Sequence, residues 1–496
     1  MSNEINPNDI VKTKAKDGSN VEFVFKDPKQ GGVKDVYFAP DRSEVVAFFR
    51  NPLDVSGRER IEKIVTDYRS RIYEQAGGEY WKECFCWPEK IVEYNGMTGI
   101  VVPTYQNCFF FQTGNLAGTE KEGKWFASPK IYNRFVPMEE KGSLLGYLRL
   151  CLKLSRATRR LHAAGLAHSD LSYKNCLVDP QSGNACIIDI DGLVVPGVFP
   201  PDVIGTPDFI APEVVASTGR QREDRILPSQ ATDRHALAVL IYQYLFHRHP
   251  LRGGKIYSQD NDVQEKMEMG EKALFIEHPN DKSNRPILDD NDDICMPWVD
   301  VEKIPYTTAG PMLKTLFDRA FIEGLHDPAQ RPTADDWEDA IVKTSDMIQP
   351  CSNENCVKKW FIFDNSTRPV CPYCGTPYKG ILPLLDFYSS RNGKDYRPDN
   401  HRLMVFSGQS LYQWHTNRSV IPNEKIKKEH TTRVGYFSFF KGKWLFVNQT
   451  LTSMKNLTTD QPVPIGTGVE LVDGLKLQFS SDTNGRIAYI QIAKGT

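Results

Sequence analysis

HSDLSYKN, running from His168 to Asn175, decides the fold. It sets an aspartate, Asp170, and an asparagine, Asn175, five positions apart in a polar loop. Before it lies Leu144 to Ala164, a mostly apolar stretch that reads as a long buried helix stopped at Gly165. Fourteen residues past Asn175, the apolar run IIDID (Ile187 to Asp191) delivers the carboxylate of Asp189 to the end of a strand, with Asp191 as the alternative register. GTPDFIAPE follows from Gly205 to Glu213. Alone, HSDLSYKN could equally be a polar loop capping the helix before it.

A chain of 496 residues exceeds one ordinary core, so about two to four domains are expected. Its 61 basic and 63 acidic residues set up no global field toward nucleic acid or an anionic membrane, and neither is expected as a partner. MSNEINPNDIVKTKAKDG lacks the apolar core of a signal peptide, and no run of about 18 apolar residues occurs, so a cytoplasmic location is expected. Of eleven cysteines, Cys351, Cys356, Cys371 and Cys374 cluster. In a reducing compartment such a cluster fits a metal site better than a disulfide framework.

Upstream, VEFVF, DVYFA and EVVAFF read as short strands of an antiparallel sheet, separated by the turn-formers DPKQGG and APDRS. From Arg58 to Gln75, Ile61, Ile64, Val65, Tyr68 and Ile72 recur at helical steps. KIVEY and TGIVVPTY add strands. Helical patterns dominate from Asp233 through Met347, interrupted by an acidic surface loop around Asp289 to Asp293. From Leu382 onward only alternating strand patterns with Asn and Gly turns remain.

These stretches resemble the protein-kinase family. HSDLSYKN matches its catalytic loop, H-x-D-L-x-x-x-N, and GTPDFIAPE matches the end of its activation segment nearly residue for residue. The resemblance implies an α+β, bilobal protein-kinase fold, with an N-terminal lobe over 11–105 and a C-terminal lobe over 106–349. It also implies ATP and Mg2+ as cofactors and a protein substrate. Phosphoryl transfer is mostly positioning and charge stabilisation. Asp170 would orient the attacking hydroxyl, while Asn175 and Asp189 would hold magnesium. His168 and Asp233 would support the loop, and Thr206 would line the substrate channel, as in the serine/threonine branch. Arg331, in DPAQRPTADDW, would form a buried ion pair with Glu213.

The N-terminal match is thinner. KQGGVKDVYFA stands where a glycine-rich phosphate loop belongs, with Gly31 aligned and Gly32 offering close backbone approach, although a double glycine between strands also reads as a plain turn. Aligning EVVAFFR on V-A-I-K puts Ala47 over the adenine and Phe49 in place of the phosphate-binding lysine. Lys34 is the first candidate for the missing cation and Arg50 the second. Glu62 is the first candidate for its acidic partner on the following helix, ahead of Asp67, and a solvated helix charge is the plainer reading. Val102 and Thr104 of TGIVVPTY complete the ATP candidates. Ser169 replaces the arginine of loop-regulated kinases, and Ile190 to Gly205 contains no Ser, Thr or Tyr, so control by phosphorylating that loop is not expected. The rival to an active kinase is a pseudokinase acting as a scaffold.

Cys351-x4-Cys356 and Cys371-x2-Cys374, the latter inside CPYCG, resemble a zinc ribbon over 350–380, with four thiolates leaving zinc no open position. The segment 381–496 reads as a β-sandwich, from GYFSFF, WLFVNQ and KLQFS. With Arg418, His430 and Asn448 it resembles a forkhead-associated (FHA) domain, although Lys427 replaces the usual serine, and a plain β interaction domain is the alternative. The whole order resembles bacterial kinases encoded with a von Willebrand factor A (vWA) protein and a PP2C-type phosphatase in tellurite-resistance clusters, which implies those partners.

Overall fold

The computed structural model describes residues 6–74, 77–195, 198–199, 205–289, 293–363 and 369–494. The chain forms two compact units. One comprises Met1–Gly142, Arg149–Val301 and Phe317–Trp337, and the other Ser143–Leu148, Glu302–Leu316 and Glu338–Thr496.

In the first unit the hairpin β1 (Ile10–Lys14) and β2 (Asn20–Val24) precedes a five-stranded antiparallel sheet. Its strands are β3 (Lys29–Gln30), β4 (Lys34–Phe38), β5 (Glu44–Phe49), β6 (Lys90–Tyr94) and β7 (Met97–Pro103), ordered β3-β4-β5-β7-β6. Alternation sorts the two faces. Phe23, Tyr37, Val46, Phe48, Val92 and Val101 bury in one cluster, while Ala47, Ile91 and Ile100 pack with Val36 and Val102 against Ile61 in another. The strands expected from the sequence fall on these elements.

The helix expected over 58–75 begins earlier, because Asp54 caps it by accepting the Gly57 N–H at 2.7 Å. It is also interrupted, running as Val55–Lys63, a π-helical turn at Ile64–Tyr68, and Arg69–Tyr73. Gln75 lies outside the described residues, as do 290–292 of the expected acidic loop.

The helix Leu144–Ala163 leads to Gly165, whose φ of +79° needs a glycine. The hairpin β8 (Cys176–Asp179) and β9 (Asn184–Ile187) follows. The helix Gln230–Phe246 opens on a Ser229/Thr232 capping box and is apolar almost all round, as an interior helix should be. Asp233 to Met347 is less helical than its pattern implies. At Gly253 an added Cβ would lie 1.8 Å from the Asn284 carbonyl oxygen, so the chain there is packed loop rather than helix.

The second unit holds the hairpin β10 (Ile348–Pro350) and β11 (Trp360–Ile362), then ten strands. These are β12 (Ile381–Ser389), β13 (Arg397–Met404), β14 (Ser410–Tyr412), β15 (Arg433–Phe440), β16 (Lys443–Asn448), β17 (Lys455–Asn456), β18 (Gln461–Pro462), β19 (Gly468–Glu470), β20 (Lys476–Gln478) and β21 (Arg486–Lys494). They form two sheets, ordered β13-β12-β21-β20-β17-β18 and β14-β15-β16-β19. Leu385, Leu403, Phe437, Phe446, Leu477 and Ile490 share one buried cluster between them. The boundary read between 380 and 381 does not divide cores, because Cys356, Cys371 and Phe361 bury together with Leu382, Leu384 and Met404.

Candidate active site

Asp170 sits in a loop whose backbone is fastened from below. Ser169 is held at φ +67°, a conformation costly for a residue with a Cβ, and Asp233 stabilises it. The buried Asp233 carboxylate accepts the His168 N–H at 2.8 Å and the Ser169 N–H at 3.1 Å. The His168 ring bonds the Ile188 carbonyl at 3.0 Å, tying the loop to the residue before Asp189. The Asp170 carboxylate accepts the Thr206 N–H at 2.7 Å and an N–H of the Asn175 carboxamide at 2.9 Å, while Thr206 Oγ1 lies 3.2 Å from Ser172 Oγ. Ser172 was not singled out in the sequence; it is buried, and its contact with Thr206 ties the loop to the segment that follows Gly205.

Lys34 opens β4 directly opposite Phe49 of β5. Cross-strand partners share a face, so the lysine stands beside the position where V-A-I-K would carry one, with Nζ 5.5 Å from the Phe49 ring centre. Nζ bonds Asp191 at 2.6 Å and Asp189 at 3.0 Å. Burial would push Lys34 down, but Asp191 and then Asp189 outweigh it and hold the ammonium above its ordinary range. Burial raises Asp189, yet the Lys34 charge prevails and keeps it below the usual carboxylate value. Asp191 is more enclosed, and burial lifts it above that value despite Lys34.

Arg50 points away, as strand alternation requires. Its guanidinium bonds Asp35 at 2.8 Å and the Gly31 carbonyl at 2.7 Å, holding the tip of the glycine hairpin and leaving Asp189 and Asp191 to Lys34. Gly32 has open space where a Cβ would stand, and neither it nor Gly31 takes a positive φ.

Glu62 needs correction. It pairs with Lys16 at 3.0 Å with about half its side chain exposed, and Asp67 pairs with Lys63 one helical turn away. The carboxylates on Lys34 come from the loop after β9. Ala47 and Val102 share a cluster, and Val102 also packs against Leu177. Leu177 was unremarkable in the sequence. Thr104 follows β7, its backbone N–H bonded to the Ser43 carbonyl at 3.0 Å.

Arg331 is 1% exposed and grips Glu213 through two N–H groups at 2.8 and 2.7 Å. Its other bonds go to the carbonyls of Gly324, Ala231 and Leu325. Residues 196, 197 and 200–204 of the loop expected to lack phosphorylation sites lie outside the described residues.

In the second unit, the sulfurs of Cys351, Cys356, Cys371 and Cys374 all lie within 4.8 Å of one another. Cys351 and Cys374 are 3.5 Å apart and Cys356 and Cys371 3.8 Å, with no disulfide. Tetrahedral zinc with bonds of about 2.3 Å spaces its sulfurs about 3.8 Å apart, so the donor set fits. The Cys371 thiol and the Lys359 and Lys358 backbone N–H groups bring Cys356 down to about 5. Asn448 is buried and bonds the Leu451 and Val463 carbonyls, a structural use of its carboxamide. Arg418 leans on Asp399 at 3.5 Å, and His430 lies 3.6 Å from Glu429.

Residues 142–338 match the family described as the protein kinase domain, so the chain carries a protein kinase domain. It is similar to the serine/threonine-protein kinase PknD of Chlamydia felis, 27% identical over 138 residues, which is 24% of this chain and 14% of that one. It is also similar to the serine/threonine-protein kinase PkaB of Streptomyces coelicolor, at 33% over 104 residues, 19% of this chain and 23% of that one. Death-associated protein kinase dapk-1 of Caenorhabditis elegans matches at 36% over 101 residues, 20% of this chain and 6% of that one. The chain thus spans under a quarter of the length of these relatives. The solved kinase domain of a Toxoplasma gondii rhoptry antigen aligns with a TM-score of 0.41 at 14% identity, over 69% of this chain and 88% of that one. Among the described residues no helix is long and apolar enough to cross a membrane.

Proposed function

We propose that the chain is a serine/threonine protein kinase that passes the γ-phosphate of ATP to a protein hydroxyl, magnesium-dependent and not switched by phosphorylating its activation loop. The observation that carries this reading is the fastening of Asp170 between Thr206 and Asn175, on a loop anchored by Asp233. A carboxylate fixed in this way orients an incoming hydroxyl and accepts its proton as the phosphorus–oxygen bond forms.

Magnesium is implied by the domain, and the residues fit it. The Asn175 carboxamide nitrogen donates to the Asp170 backbone carbonyl and carboxylate, its oxygen has no hydrogen bond among the described residues, and the Asp189 side chain is 53% exposed. These are hard oxygen donors, and the ion they would hold neutralises charge on the phosphates. Lys34 supplies the protein's own cation, while Val36, Ala47, Val102 and Leu177 exclude water around the base. A pseudokinase is the second reading, favoured by Phe49 in place of lysine; Lys34 beside Asp189 counts against it.

The four cysteines are read as a structural zinc site, and the two sheets with their common core as an FHA-like β-sandwich. A protein substrate, a vWA-domain protein and a PP2C-type phosphatase are the proposed partners, and a cytoplasmic location belongs to the same reading.

The test is incubation of the purified protein with labelled ATP, magnesium and a generic protein substrate, beside Asp170→Ala. Transfer by the native chain and its loss in the variant are expected. Equal labelling in both, or none in either, refutes the reading.

A further inference from the structure

We infer that Asp191 is the positioning residue for Lys34, supplying from the metal loop the carboxylate that a kinase otherwise draws from its N-lobe helix. This rests on the kinase reading for the role of Lys34 toward ATP, but the contact itself does not depend on it.

Four observations converge. Of the two carboxylates on Lys34, Asp191 is nearer, at 2.6 against 3.0 Å, and its side chain is 11% exposed against 53% for Asp189. The pair therefore divides its work, with Asp189 half open to solvent and Asp191 turned onto the ammonium. Second, the helix carboxylates that could compete are engaged elsewhere, Glu62 by Lys16 and Asp67 by Lys63. Third, Lys34 is itself only 13% exposed, and a long flexible side chain desolvated that far needs a fixed counter-charge to keep one rotamer. Fourth, Asp191 sits on a short 3-10 turn, Ile190–Gly192, entered from Asp189 at φ +60°. That left-handed residue turns the chain so that carboxylates two positions apart reach the same Nζ.

The consequence is regulatory. Where a lysine depends on a helix glutamate, swinging the helix breaks the pair. Here the lysine is tied to the segment that carries Asp189, so a helix displacement leaves cation and metal-binding carboxylate together. The short turn Ile190–Gly192 keeps the two together as one group.

The test uses the full chain without nucleotide or added magnesium. An amine-acylating reagent labels lysines, and the extent at Lys34 is read by mass spectrometry. Asp191→Asn should raise labelling of Lys34 several-fold, because the ammonium loses the nearer of its two carboxylate partners and the contact that keeps it covered. Asp191→Glu should return it to near the native level, which separates loss of the partner from misfolding. Glu62→Gln should leave it unchanged. The inference is overturned if Asp191→Asn leaves Lys34 as protected as in the native chain, if Asp191→Glu does not rescue, or if Glu62→Gln exposes it as much. Because no phosphate is transferred, a chain inactive toward ATP would still give one of these results, and failure of the kinase reading stays distinguishable.

Discussion

Replacing Arg331 with methionine removes a guanidinium that bonds Glu213 twice and three backbone carbonyls once each. With Arg331 1% and Glu213 18% exposed, the glutamate is left as an unpaired, mostly buried charge, which costs about 3 to 5 kcal/mol. The three stranded carbonyls add about 1 kcal/mol each where water cannot reach them. Relaxation and water entry make these contributions overlap, so a loss on the order of 5 kcal/mol is expected, much of what a typical domain has. At about 2 to 4 °C per kcal/mol, the melting temperature of the first unit should fall by roughly 10 to 20 °C. Scanning calorimetry reads this directly. Adding Glu213→Leu to Arg331→Met should recover part of the loss, because it removes the orphaned charge. A drop below about 1 kcal/mol, or a double variant no more stable than the single one, would show that the pair does not hold the helix Pro212–Ser217 to the rest of the core.

Asp233→Asn should lower kcat while KM for ATP changes little, because it loosens the backbone at His168 and Ser169 but touches no residue of the base slot; equal changes in both would contradict this. Protein purified without chelators should hold one zinc per chain, and Cys371→Ser should lose it together with a thermal transition of the second unit; full stability without metal would defeat the zinc reading. Acid should destabilise that unit. Burial pushes His401 below its ordinary 6.5, and His415 and His401 hold Asp346 below the usual carboxylate value despite burial. A depressed histidine contributes stability that is present above its unfolded pKa and lost as pH falls below about 6.5; the depressed aspartate acts the same way below about 4. Urea midpoints followed from pH 8 to 4 should therefore decline, and His401→Gln should flatten the upper part of the slope.

The match to the protein kinase domain over residues 142–338 was legible because its motifs lie in contiguous strings. Asp170, Asn175 and Glu213 carry their meaning in local spacing, and Asp233 and Arg331 follow in chain order. The N-terminal lobe was less so. Lys34 stood among candidates until strand register set it opposite Phe49, and one residue's shift would have turned it to the far face. Glu62 looked like its partner because helical phase alone cannot say which exposed acid faces the sheet, and Lys16, from the turn after β1, reached it instead. Asp191 read only as an alternative register for Asp189, whereas in space it is the nearer carboxylate on the lysine. The contiguous strings also hid the regrouping of Ser143–Leu148 and Glu302–Leu316 with the C-terminal unit, since such membership depends on long-range packing.

The cluster that joins Cys356 and Cys371 to Leu382, Leu384 and Met404 makes cysteine module and first sheet a single cooperative body. If the thiolates hold zinc as proposed, metal occupancy is linked to the folding of β12 and β13, and cellular zinc acts on that sheet by mass action. Oxidation of the cysteines would be felt there as well, some distance along the chain from any sulfur. A segment that looks like a small independent insert is thereby part of the same buried core as the strands that follow it.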